Sequence, residues 1–159
     1  LEREREEIPK LPLIQKIDSL QELSSIVKEG EVVFSTLGSK HLQQVASLVQ
    51  KVGGRLVARV LPQSEVLKKC ENLGLNISQI VALPGPFSRD LNRALFSRFQ
   101  INLLLTKESG PQGGQQDKIN AALDLGIKTV VWSRPRLEYP RVFYRAEEIC
   151  NFINGGRRE

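Results

Sequence analysis

Five short runs of β-branched or leucine-rich residues alternate with single amphipathic helical segments along most of this sequence. Strands that are separated by one helix cannot form hairpins, so they pair in parallel through right-handed crossovers. The pattern therefore predicts a doubly wound α/β domain, with a sheet of about five parallel strands and helices on both faces. The predicted strands are 32–36, 56–60, 79–83, 101–106 and 129–133.

The two ends of the chain do not follow this alternation. Residues 1–16 begin with mixed Glu and Arg and then place Pro9 and Pro12 among a few apolar residues, which predicts a linker. The α/β domain is predicted over 17–154, with a last helix near 146–153, and 155–159 is predicted to be a tail. The sequence has no methionine, even at position 1, which indicates a piece of a longer or processed chain.

The net charge of the chain is unevenly distributed. Residues 1–30 carry 5 basic and 7 acidic residues, whereas the other 18 basic and 11 acidic residues give the rest of the chain a net charge of +7. This excess favours an anionic partner, which on charge alone could be nucleic acid, a phosphorylated cofactor or a polycarboxylate. An excess of this size is also an ordinary solubility feature of small domains.

Several classes of protein are poorly supported. The two cysteines, Cys70 and Cys150, are far apart, which favours reduced thiols over a metal site or a disulfide framework. No apolar run reaches the roughly 18 residues of a membrane span, and no secretion signal opens the chain. We therefore expect no metal, no membrane partner and a cytoplasmic location.

Glycine, hydroxyl and cationic residues follow the predicted strands, at the sheet edge where open parallel sheets bind ligands. Lys107, Ser109 and Gly110 follow the fourth strand, ahead of a helix that begins after Gly113 and Gly114. This composition is typical of an anion site, although its spacing matches no phosphate-loop motif. A long connection with turn glycines explains the same residues.

Four other residues near this edge have two interpretations each. Arg59, inside an apolar strand, needs either an exposed sheet edge or an anion. Arg134 is either an anion contact or an ordinary surface arginine. Ser88 is predicted to cap the next helix rather than to contact a ligand, and His41 is a solvated helix residue or a proton donor.

Together these loops resemble one family, the precorrin-6A and cobalt-precorrin-6A reductases. The resemblance covers residues 32–135 and rests on the order of the segments rather than on any one of them. The matching segments are Phe34-Ser35-Thr36-Leu37-Gly38, Arg59-Val60-Leu61-Pro62, Gly85-Pro86-Phe87-Ser88, Leu105-Thr106-Lys107-Glu108-Ser109-Gly110, Lys118 with Ala121-Ala122, and Gly126-Ile127 leading to Arg134-Pro135. The family loop usually reads Lys-Asn-Ser-Gly-Gly, and this chain departs from it at Glu108, which would repel an anion, and at Pro111, which lacks a backbone donor.

The resemblance implies a Rossmann-like fold and an enzyme that takes hydride from NADPH to saturate one double bond of a tetrapyrrole, precorrin-6A or cobalt-precorrin-6A. It also implies two lobes, of which this chain resembles the C-terminal half, with an N-terminal domain missing. The expected cofactor or substrate contacts are Thr36, Gly38, Arg59, Gly85, Lys107, Ser109, Gly110 and Arg134.

Two other functions remain open at this point. A non-catalytic regulatory domain could bind a nucleotide or phosphate at the same edge. A nucleic-acid-binding module is disfavoured, because aromatic residues make up only 6% of the chain and do not interleave with basic ones.

Overall fold

The computed structural model describes residues 10–109, 114–133 and 147–148, and these form a six-stranded sheet flanked by helices. The strands are β1 Ile14–Ile17, β2 Val32–Ser35, β3 Arg55–Val60, β4 Ile80–Ala82, β5 Leu103–Lys107 and β6 Lys128–Trp132. The α-helices are α1 Leu23–Ile26, α2 Leu42–Lys51, α3 Ser64–Asn72, α4 Arg89–Arg98 and α5 Gln115–Asp124. Short 3-10 turns at Leu20–Glu22 and Ile77–Gln79 precede α1 and β4.

Every strand pair in the sheet is parallel, in the order β1-β6-β5-β2-β3-β4. The chain therefore moves outward from β2 to β4 and returns to continue from β5 to β6 on the other side of β2. This reversal makes the crevice between the carboxyl ends of β2 and β5 a topological switch point, where open α/β sheets bind ligands. The predicted doubly wound, Rossmann-like class is confirmed.

The sheet separates two hydrophobic clusters, because successive side chains of a strand point to opposite faces. Val33 packs with residues of α2 and α3 on one face, including Val45 and Cys70. Phe34 packs with Phe96 of α4 and with α5 on the other. The predicted helices on both faces are therefore present, and the helices on the second face are further joined by ion pairs of Arg89 and Arg93 with Asp124.

The prediction of about five strands misses β1, and the predicted linker 1–16 overlaps it. Ile14–Ile17 pairs only with β6, at the edge of the sheet, and Gln15 and Lys16 are exposed. Because Ile17 is the one side chain of this strand that is fully buried, the segment has no hydrophobic run that would indicate a strand. The sheet therefore begins at Ile14, inside the segment predicted to be a linker.

Some predicted features lie outside the described residues. These are Gly110, Arg134, Cys150, the tail 155–159 and most of the helix predicted near 146–153. Of the helices that the structure does describe, none is both long and apolar enough to cross a bilayer.

Candidate functional site

A cleft of about 610 Å³ opens at the carboxyl ends of β2 to β5, a volume within the usual range of small-molecule sites. Its wall includes six of the eight residues that the sequence predicts to contact ligand, and the other two, Gly110 and Arg134, lie outside the described residues. The lining residues are Thr36, Gly38, Arg59, Val60, Leu61, Leu83, Gly85, Pro86, Phe87, Lys107, Ser109, Gly114 and Lys118. That any of them contacts a ligand stays a prediction.

The cleft has one apolar wall and one polar wall. Leu61 and Leu83 follow β3 and β4 and leave about half of their side chains exposed (52% and 41%), with Pro86 and Phe87 beside them. Thr36 and Lys107 lie opposite, at the ends of β2 and β5. Such a cleft suits a ligand that combines an apolar flat face with anionic groups.

Arg59 lies between these two walls, on the face of β3 that packs against α4. Its strand has β2 on one side and β4 on the other, so the interpretation of Arg59 as an edge residue is wrong. The Arg59 Nη1 atom donates a hydrogen bond to Asn92 Oδ1 over 2.8 Å, and the guanidinium carbon lies 3.9 Å from the centroid of the Phe87 ring. Burial lowers the pKa of Arg59 to about 10, so the side chain is still a cation at neutral pH.

Arg59 has no carboxylate partner among the residues that the structure describes. Its one hydrogen bond there is to a neutral amide. A partly desolvated guanidinium with unused donors attracts an anion strongly, because little water competes for it. Arg59 therefore provides a positive charge, held by Asn92, in the wall of the cleft.

Asn92 anchors both Arg59 and the loop that carries the apolar wall. It lies on α4 and is fully buried, and its Nδ2 atom donates to the backbone oxygens of Phe87 (3.3 Å) and Ser88 (2.9 Å). The sequence carries no signal for this role of Asn92, because a polar residue does not contribute to a hydrophobic pattern. The buried face of α4 contains Asn92 and Phe96, whereas the apolar side chain of Leu91 is exposed.

The loop before α4 is held by the predicted cap. Ser88 Oγ accepts a hydrogen bond from the backbone N–H of Leu91 over 3.2 Å, which confirms that Ser88 is the N-cap of α4. A cis peptide bond joins Gly85 to Pro86. Phe87 lines the cleft, and its ring stacks on the guanidinium of Arg59.

The loop after β5 is tied back to α5. The Gln115 side chain is fully buried, and its Oε1 atom accepts a hydrogen bond from the backbone N–H of Ser109 over 2.5 Å. Glu108, expected to repel an anion, forms a 3.0 Å ion pair with Lys16 of β1. This pairing reduces the repulsion that Glu108 would exert on an anion in the cleft.

The loop after β2 carries the only histidine of the sequence. His41 is the N-cap residue of α2, and its ring packs edge-on against Trp132 with centroids 4.7 Å apart. Its pKa is lowered, first by burial and then by the positive charges of Lys40, Lys107 and Lys69. His41 is therefore a partly exposed ring that packs against Trp132 in a cationic region.

The side chains of the cleft suit anion binding. Among the described side chains, no group of three or more His, Cys, Asp or Glu residues could hold a metal ion. What the cleft offers is a fixed guanidinium, flanking lysines and an apolar surface.

Comparison with known proteins identifies the family of the chain. Residues 1–154 match the family model described as "Precorrin-6x reductase CbiJ/CobK". A cobalt-precorrin-6A reductase of Priestia megaterium is 35% identical over 139 residues, covering 86% of this chain and 54% of the relative. One from Salmonella typhimurium is 40% identical over 126 residues, covering 78% of this chain and 47% of the relative.

A solved structure supports the fold. The structure titled "CobK precorrin-6A reductase" superimposes with a TM-score of 0.73 at 17% identity, covering 98% of this chain and 61% of that one. The chain thus spans about half the length of the curated relatives it matches.

The comparisons correct one detail of the sequence analysis. The predicted assignment to the C-terminal half of a reductase, with a missing N-terminal domain, is not supported by these matches: the family model also covers the predicted linker, and the two relatives align with 86% and 78% of this chain. The match to the family model and the identities to its curated members agree on one conclusion: the chain belongs to the precorrin-6x reductase family.

Proposed function

We propose that this chain forms the ligand-binding part of an NADPH-dependent reductase that saturates one double bond of precorrin-6A or cobalt-precorrin-6A in cobalamin biosynthesis. Its membership of the family supports the reaction class. The single observation that carries the proposal is the guanidinium of Arg59, which lacks a carboxylate partner among the described residues and lies in a cleft at the switch point of the sheet.

The residues of the cleft fit a nicotinamide dinucleotide. Lys107 and Arg59 are cations that phosphates prefer, and at Gly38 a Cβ would meet no atom within 4 Å, so the backbone is open to a ligand there. When bound, NADPH supplies the hydride. The chain's own residues bind and orient the two reactants and exclude water from between them.

The same cleft fits a tetrapyrrole that carries acetate and propionate groups. Its carboxylates can pair with Arg59 or Lys107, and Leu61, Leu83 and Phe87 offer an apolar surface for the flat face of the macrocycle. We propose that Thr36, Gly85 and Ser109 shape this edge, with Gly110 and Arg134 as further contacts.

We also propose that the domain that carries the cleft extends to residue 154, and that the enzyme acts in the cytoplasm. The family supports both proposals: its model covers residues 1–154, and a biosynthetic reductase would draw on soluble NADPH. Binding of substrate by these 159 residues and turnover of substrate by them are two separate measurements.

The test has two steps, both performed on the chain and on a longer form that matches the length of its relatives. Titration with NADPH and NADH should show binding of NADPH with a clear preference over NADH. Loss of nicotinamide absorbance should then require precorrin-6A or its cobalt form. Binding without oxidation in the longer form would instead identify a regulatory nucleotide-binding domain, and failure to bind either nicotinamide would refute the cofactor.

A further inference from the structure

The partner of Arg59 is unusual for a partly buried cation. Buried arginines are generally paired with a carboxylate, because an unpaired charge is costly away from water. Arg59 instead donates to the amide oxygen of Asn92, itself fully buried on α4. Aspartate has nearly the same shape and could accept the same hydrogen bond, but it would also cancel the positive charge.

The other contacts of Asn92 explain why its position is fixed. The Asn92 Nδ2 atom donates to the backbone oxygens of Phe87 and Ser88, so one side chain holds Arg59 on one side and the loop of the apolar wall on the other. The Phe87 ring, on that loop, lies against the guanidinium. An aspartate would have no N–H for these two carbonyls.

We propose that Asn92 is a positioning residue that sets the specificity of the cleft for anions, because its neutral amide holds the Arg59 guanidinium in place and leaves its charge available. The ligand group is one that a planar guanidinium binds through two hydrogen bonds, a carboxylate or a phosphate. A tetrapyrrole would supply the carboxylate and NADPH would supply the phosphate. Only the choice of these two ligands rests on the proposed function.

The test compares Asn92→Asp with Asn102→Asp. Asn102 lies at the amino end of β5, where its Oδ1 atom accepts a hydrogen bond from the backbone N–H of Val32, so aspartate there keeps the contact and adds the same charge far from the cleft. Binding of three probes to the chain is measured at low and moderate salt: NADPH, the octacarboxylate porphyrin uroporphyrin, and inorganic pyrophosphate.

Asn92→Asp should weaken the probe that reaches Arg59 at least tenfold and reduce its salt dependence, whereas Asn102→Asp should change affinity less than twofold. The probe that weakens identifies the source of the anion. Asn92→Ala separates positioning from mere structure. It removes the hydrogen bonds but keeps the charge of Arg59 free, so it should weaken binding less than Asn92→Asp, whereas a purely structural role predicts the reverse order.

The results distinguish failure of the inference from failure of the proposed function. If Asn92→Asp binds the probes as tightly as the parent chain, the inference is wrong and the proposed function stands. If only pyrophosphate binds, and does so in an Asn92-dependent way, the inference stands and the proposed function fails. If no probe binds the parent chain, both fail. Should Asn92→Asp not fold, unchanged binding by Asn92→Ala overturns the inference.

Discussion

The two ends of strand β3 each carry an arginine, and the two side chains have opposite environments. Arg55, at the amino end, is exposed, and its Nη2 atom donates to Ser78 Oγ over 3.0 Å, which ties the strand to the turn before β4. Arg59, at the carboxyl end, is partly buried and hydrogen-bonds to a neutral amide beside the cleft. The first arginine connects parts of the fold, whereas the second has no carboxylate partner among the described residues.

The turns at the amino ends of the strands extend this contrast. The Asn102 side chain caps the backbone of Val32, and Asn76 forms a capping box with Gln79. These polar groups find partners within their own turn or the adjacent strand. An edge that only connects elements satisfies its own hydrogen bonds, whereas an edge that binds a ligand keeps charged donors unused.

The largest effect should come from removing one arginine at a time. Arg59→Gln should weaken NADPH binding by about 1.5–3 kcal/mol, roughly 10- to 150-fold, because it removes a charge-assisted hydrogen bond to the ligand. Arg55→Gln, an exposed change far from the cleft, should leave the affinity within twofold. Fluorescence titration of the reduced nicotinamide measures both, with thermal melting as the control for folding. Equal losses in the two variants would remove the distinction between the two ends of β3.

A pair of glycines distinguishes packing from binding. A Cβ at Gly54, at the amino end, would lie 3.0 Å from Val49 Cγ1 and 3.1 Å from Val27 Cγ1, both in the core. Gly54→Ala should therefore lower the free energy of unfolding by about 1–3 kcal/mol and leave NADPH affinity unchanged.

The matching change at the carboxyl end is Gly85→Ala. Its Cβ would lie 3.3 Å from the Phe87 ring, which must shift by a few tenths of an ångström, and this ring lies against Arg59. We expect a severalfold loss of affinity with less than about 1 kcal/mol of lost stability, since the contact is with an aromatic wall rather than the core. Urea unfolding measures the stability of Gly54→Ala and Gly85→Ala, and ligand titration measures the NADPH affinity of each. A Gly85→Ala variant that is much less stable but binds normally would contradict this assignment.

The contrast between the ends also explains what the sequence could predict. Thr36, Lys107 and Ser109 were identifiable because residues that follow parallel strands must meet at one edge, whatever the details of packing. The strand β1 could not be identified from the sequence, because an edge strand with one buried side chain has no apolar pattern. The role of Asn92 could not be identified either. It depends on which face of α4 is turned toward Arg59, and only tertiary packing sets the rotation of the helix about its axis.

Caps should behave alike at both ends, which limits how far the contrast extends. Ser88→Ala, at the carboxyl end, and Asn76→Ala, at the amino end, should each lower the free energy of unfolding by about 1 kcal/mol. Neither side chain lines the cleft, so NADPH affinity should stay within twofold for both. Chemical denaturation and titration test this. A large loss of affinity in Ser88→Ala alone would mean that Ser88 contacts the ligand as well as the helix.

The smallest expected effect is a change in the pKa of His41, which reports directly on the charge at the carboxyl ends of the strands. Burial and the lysines Lys40, Lys107 and Lys69 lower the pKa of His41, so the folded chain binds the imidazole proton less readily than the unfolded chain. The contribution of His41 to stability is therefore fully present above its ordinary pKa of about 6.5 and is lost as pH falls through the lower folded value. An anion bound beside Lys107 should offset the lysine charge and raise the pKa of His41 towards its ordinary value.

Because His41 is the only histidine of the sequence, its NMR titration is unambiguous. Lys107→Gln should raise the pKa of His41, as a bound anion should, because both remove positive charge near the ring. If the phosphates of NADPH lie beside Lys107, adding NADPH to this variant should cause no further rise in that pKa. Lys51→Gln is the matched control, since Lys51 lies at the far end of α2, roughly 15 Å along the helix from His41. If saturating NADPH leaves the pKa of His41 unchanged in the parent chain, the phosphates lie away from Lys107, and Arg59 becomes the centre of anion binding in the cleft.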